Sequence, residues 1–108
     1  MVDTYTIQGV KTTFSDMFDN LIYYNFVKPL IVVSPTCWQA ATGNFSLDKG
    51  EEWLRGIYNY LNENYNIDEV ALCGASNGAY ISTQLGIYRC IDILDYIGDF
   101  SGWYLYDD

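Results

Sequence analysis

Hydrophobic positions along the chain switch between two periods. From residue 14 to 26, Phe14, Met17, Phe18, Leu21, Ile22 and Phe26 recur at the i, i+3, i+4, i+7 spacing of one helical face, which predicts an amphipathic helix. Thr12, Thr13 or Ser15 can cap its start, and Pro29 forbids its continuation. Residues 30–34, Leu-Ile-Val-Val-Ser, are apolar on both faces and β-branched, the pattern of a strand covered on two sides in a parallel sheet. Residues 35–47 read as a loop. Asp48 with Glu51 three residues on predicts a capping-box start, and Trp53, Leu54, Ile57, Tyr60 or Leu61, and Asn64-Tyr65 carry a second helix. A short strand is expected over residues 69–73, a helix through Ala79, Ile81, Leu85 and Tyr88, and a strand over residues 96–100.

Helix and strand therefore alternate, which is the order of βαβ units over a parallel sheet. The expected class is α/β, a three-layer sandwich with a mostly parallel sheet, in one domain spanning residues 1–108.

Composition narrows the function. The net charge is −9, from 14 acidic and 5 basic residues, so no basic patch exists for nucleic acid or an anionic membrane. Apolar runs such as residues 30–33 are far too short to span a bilayer, so no membrane partner is expected. Residues 1–4 lack the pattern of a signal peptide. Cys37, Cys73 and Cys90 are odd in number and show no CxxC, which indicates neither a disulfide framework nor a metal site. That usage fits a reducing compartment, or equally a piece of a secreted protein, so the compartment stays open. The 11 tyrosines either line a sugar- or phenol-binding surface or cover half-buried faces of sheet and helix, the expected case. Histidine is absent, so the chain alone supplies neither a Ser-His-Asp triad nor a Cys-His pair.

One motif carries chemistry. Gly74-x-Ser76-x-Gly78 falls where a strand turns into a helix. In a nucleophile elbow that turn holds the serine strained and exposed, and the glycines admit close backbone approach. The amide of Asn77 would face a developing oxyanion, helped by the helix N-terminus. Three fixed positions recur by chance about once in a few thousand, so it is the placement at a strand–helix junction that gives the motif weight. The plain alternatives are an N-cap serine or a phosphate-cradling loop. A nucleotide site is disfavoured, since GASNG lacks the P-loop lysine and GxGxxG is absent.

Three separated stretches, residues 27–36 (VKPLIVVSPT), the elbow CGASNGAY and YIGDFSGWY, resemble the feruloyl esterase and acetyl-xylan esterase family of α/β-hydrolases in order and spacing. The similarity runs from about Thr12 to Trp103. It implies a carboxylic ester hydrolase with Ser76 as acyl-enzyme nucleophile, the Asn77 amide as oxyanion donor, no cofactor, and an ester-bearing small molecule or oligosaccharide as substrate. The family usually has Met where Asn77 stands, and often Gly or Ser where Ala79 stands, which puts the shape of the oxyanion site in question. Trp38, Trp103 and Tyr104 lie just beyond expected strand ends, where open sheets bind ligands, or else they pack core and rim.

By the same resemblance the triad acid and histidine follow the nucleophile, and a third strand precedes residue 4, so the chain corresponds to the central portion of such a domain. Asp92, Asp95, Asp99, Asp107 and Asp108 are expected as solvated surface charges. In the family's strand order the missing third strand leaves a gap between residues 30–34 and residues 70–73, so that either those strands pair directly or something fills the gap. Residues 4–8, a homo-oligomeric partner or a complementing chain would fill it, and association beyond a monomer is expected. The alternative function is a non-catalytic fragment or a ligand- or partner-binding α/β module.

Overall fold

The computed structural model describes residues 4–7, 10–35 and 46–102. The chain divides into two units, residues 1–36 and 37–108. Trp38, Trp103 and Tyr104, with Cys37, Asp107 and Asp108, lie outside the described residues.

In the first unit β1 (Thr4–Ile7) and β2 (Val10–Thr13) form an antiparallel hairpin, pairing Thr4 with Thr13 and Ile7 with Val10. The segment expected to fill a gap in a parallel sheet is instead held by its own neighbour in sequence. Helix α1 (Phe14–Tyr23) follows directly. Thr13 is its N-cap, the Thr13 hydroxyl accepting from the Asp16 amide at 3.0 Å. The helix stops three residues short of the expected Phe26 for a local reason. Asn25 takes φ 59°, its amide donates to the Ile22 carbonyl at 3.0 Å, and the Phe26 amide donates to Leu21 at 2.9 Å. That is a Schellman motif with asparagine in the left-handed position.

Residues 30–34 are a correction. They belong to neither described sheet, and Leu30, Ile31, Val32 and Val33 are exposed. A two-sided apolar strand is stable only between ladder partners and under covering helices, and the described residues supply neither.

In the second unit β3 (Ala71–Ala75) and β4 (Tyr96–Phe100) are parallel, in register from Ala71 with Tyr96 to Ala75 with Phe100. They are joined through α3 (Asn77–Tyr88). Taken over both units, the described residues are mixed α/β, with this two-stranded parallel sheet, the antiparallel hairpin and three helices. Strand β3 starts later than expected because the backbone of Val70 is engaged elsewhere. Its amide donates to the Asp95 carboxylate at 2.8 Å and its carbonyl accepts from the amides of Asp95 and Tyr96. Helix α3 covers one face of the sheet and buries Ala79, Ile81, Ser82, Thr83, Leu85 and Gly86. On the other face, Ala71, Cys73, Ala75, Tyr96 and Phe100 are exposed.

Helix α2 (Leu47–Asn64) begins two residues earlier than the capping box at Asp48 predicts. Ser46 is the N-cap and accepts from the Lys49 amide at 3.4 Å, leaving Asp48 in the first turn to face the positive helix end. Leu54 is buried, and Arg55 reaches from the helix to residues 89 and 92. Its guanidinium donates to both Asp92 oxygens at 2.8 and 2.9 Å, to Glu51 at 3.1 Å and to the Arg89 carbonyl at 2.8 Å. Arg89 answers by pairing with Asp48 at 2.7 Å and Glu51 at 3.4 Å. The Arg55 fork holds the Asp92 carboxyl below its ordinary range. Burial pushes the Cys90 thiol up. Asp92 and Asp95 are exposed, as expected of surface charges, and each in addition closes a tertiary contact. Tyr58 and Tyr80 are half-buried as expected, but Tyr23, Tyr24, Tyr60, Tyr65, Tyr88 and Tyr96 are exposed. Among the described residues no helix is long and apolar enough to cross a membrane.

Candidate functional site

Ser76 sits between the last residue of β3 and the first of α3, at φ 57° and ψ −118°. A non-glycine residue in that region is strained by about 1–3 kcal/mol and persists only where its surroundings impose it. Three backbone hydrogen bonds do so. The Ser76 amide donates to the Phe100 carbonyl of β4 at 3.0 Å, and its own carbonyl accepts from Ala79 at 3.0 Å and Tyr80 at 3.1 Å. Strand and helix are thereby fixed on either side of an exposed serine.

Gly74 explains how the turn closes. A Cβ there would fall on the carbonyl carbon and oxygen of Gly78 and within 2.7 Å of the Ala79 nitrogen, so only glycine admits the helix this close. Gly78 differs: a Cβ at that position meets nothing within 4 Å. The two glycines were expected to share one role, and the structure gives it to Gly74 alone.

The capping alternative for Ser76 does not survive. A capping serine lies in the β region and accepts from an amide two or three residues on, whereas the Ser76 side chain makes no cap hydrogen bond and its φ is positive. Asn77 is the first residue of α3, so its amide lies at the positive end of the helix dipole.

Beside the elbow, Asp99 is tied in place. The Thr83 hydroxyl of α3 donates to Asp99 Oδ2 at 2.9 Å, and the Gly102 amide donates to Oδ1 at 2.8 Å. Asp99 is exposed, as expected of a surface charge, and these two hydrogen bonds are what sequence reasoning did not foresee. The signal for its role was available in the spacing Asp99-x-x-Gly102, an aspartate whose side chain caps a turn ending in glycine. Ser101, between them, takes φ 58°. Sequence reasoning passed over Thr83, and it met Ser101 and Gly102 only as part of the stretch YIGDFSGWY, with no role given to either.

Other chemistry is sparse. Among the described residues no three His, Cys, Asp or Glu side chains are grouped to hold a metal. Cys73 is exposed and Cys90 buried, and neither is in a disulfide. A shallow concavity of about 420 Å³ lies in the first unit, lined by Ile22 and residues 25–29, and it contains none of the expected site residues. Compared with protein-family models, curated proteins and solved structures, the chain matches none, so the reading of this site rests on its own geometry.

Proposed function

We propose that this chain carries the nucleophile region of a serine carboxylesterase of the feruloyl or acetyl-xylan type, with β3, α3 and β4 as part of a three-layer α/β-hydrolase sandwich. The observation that supports this most is the backbone of Ser76: exposed, strained at φ 57°, and wedged between a parallel strand and a helix N-terminus by Gly74. In the reaction, Ser76 Oγ bonds to the ester carbonyl carbon as its proton passes to a base. The tetrahedral oxyanion accepts from the Asn77 amide. The carbon–oxygen bond to the alcohol then breaks, and the alkoxide takes the proton from the base. Water repeats the sequence to release the acid. The chain has no histidine, so the base comes from outside these 108 residues.

Supplying the base tests the reading. The chain is incubated with 4-nitrophenyl acetate and imidazole, and acetyl groups are mapped by mass spectrometry. Acetylation of Ser76 is expected to exceed that of each other serine by about tenfold, about 1.4 kcal/mol of transition-state preference, and to vanish in Ser76→Ala. Acetyl groups spread over the serines by exposure alone would leave the non-catalytic binding module as the function, an alternative favoured by the missing histidine.

The same reading carries association with a second copy or a complementing chain. It is supported by the exposed apolar residues 30–33 and by β3, whose single described neighbour is β4. Sedimentation at micromolar concentration is expected to show a species heavier than 12.4 kDa. A well-folded monomer would contradict it.

A further inference from the structure

Ser101 repeats the anomaly of Ser76 on the neighbouring strand. Ala75 and Phe100 are the last paired residues of the parallel ladder, so Ser76 and Ser101 are the first residues past it, side by side. Adjacent strands lie about 5 Å apart. Both serines are exposed, with φ 57° and 58°. Serine has no intrinsic liking for this region, and glycine would occupy it without strain.

The turn around Ser101 is held as firmly as the elbow. Asp99 grips the Gly102 amide behind it and receives the hydroxyl of Thr83, a residue only 5% exposed. A Cβ at Gly102 would strike both Asp99 carboxylate oxygens, so any other residue there would push the Asp99 side chain out of the clamp. Glycine thus stands next to the strained position but not in it. Strain of this kind, imposed by its surroundings, points to use of the side chain. The carboxyl ends of adjacent parallel strands are also where open sheets bind their ligands.

We propose that Ser101 is a second ester-contacting residue of the Ser76 site, its hydroxyl donating a hydrogen bond to an oxygen of the ester bound there. This rests on the esterase reading of Ser76. A hydroxyl at this position gives the β4 side of the site a polar contact, suited to esters whose alcohol or acyl part carries oxygen close to the scissile bond.

The test is the rate of Ser76 acetylation by 4-nitrophenyl acetate with imidazole in wild type, Ser101→Ala and Ser101→Gly, each also followed by urea unfolding. Ser101→Gly relieves the backbone and is expected to unfold at the same or higher urea, so loss of structure does not explain a slower reaction. Both variants are expected to acetylate Ser76 about tenfold more slowly. A rate equal to wild type in both variants, with Ser76 still the preferred serine, overturns the role of Ser101 and leaves the esterase reading standing. Absence of preferred acetylation at Ser76 in the wild type overturns both.

Discussion

Gly74→Ala is expected to lower the unfolding free energy by about 3 kcal/mol and to abolish selective acetylation of Ser76. The added methyl lands on the carbonyl group of Gly78 and within 2.7 Å of the Ala79 nitrogen. All of these are backbone atoms in the first turn of α3, so no rotamer change relieves the clash. The helix must retreat from the strand. Retreat stretches the hydrogen bonds from Ala79 and Tyr80 to the Ser76 carbonyl, which with the Phe100 contact hold Ser76 at positive φ. Two other glycines calibrate the effect. Gly86→Ala brings a methyl to 2.5 Å from Ile97 Cδ1, the end of a flexible side chain that can turn aside, and costs less. Gly78→Ala, in the first turn, meets nothing within 4 Å and is expected to be neutral or slightly stabilising, by less than the roughly 1 kcal/mol that separates alanine from glycine in a helix interior. Urea unfolding followed by circular dichroism measures all three, with an unchanged m-value marking a pure stability effect. Equal midpoints for Gly74→Ala and Gly78→Ala would remove the steric account of the elbow.

What the sequence made legible is local in its physics. Strand β4 lies at the expected residues 96–100, and α3 buries Ala79, Ile81 and Leu85 of its expected pattern while Tyr88 is exposed, because a few contiguous side chains decide those elements. Thr13 was among the expected caps and is the one used. The elbow was legible because its serine and glycines fall at a junction where periodicity changes. What was not legible depends on partners distant in sequence. Asp48 looked like a cap because Glu51 stands three residues on, but Glu51 is engaged by Arg55 and Arg89, and Ser46 took the cap. Asp92 is 37 residues from Arg55, and Asp95 is 25 from Val70, so no local pattern marks either contact. Residues 30–34 show the converse. Their composition is that of a central strand, yet a strand needs ladder partners, and composition cannot provide them.

Truncating Leu85 tests whether the helix that carries Ser76 is held from its far end. Leu85 is 1% exposed and is the largest of the fully buried side chains together with Cys90. Leu85→Ala removes buried methyl groups and leaves a cavity, for an expected loss of about 3 kcal/mol. Its carbonyl also closes α3, accepting from Arg89 at 3.1 Å and Cys90 at 2.8 Å, so relaxation into the cavity is resisted by the helix end. Leu85→Met, which nearly conserves volume, is expected to cost under about 1.5 kcal/mol. Ile87→Ala, at a side chain 50% exposed, is expected to cost under about 1 kcal/mol. Nine residues of helix place Leu85 about 13 Å from Ser76, too far to alter the elbow by contact. The two large destabilisations therefore separate in one further measurement. In Leu85→Ala the acetylation rate of Ser76, scaled to the folded fraction, stays at the wild-type value. In Gly74→Ala it falls even where the protein remains folded, because there the defect lies in the turn itself. If both variants lose Ser76 selectivity in proportion to unfolding alone, the strained turn has no influence of its own on the reactivity of the serine.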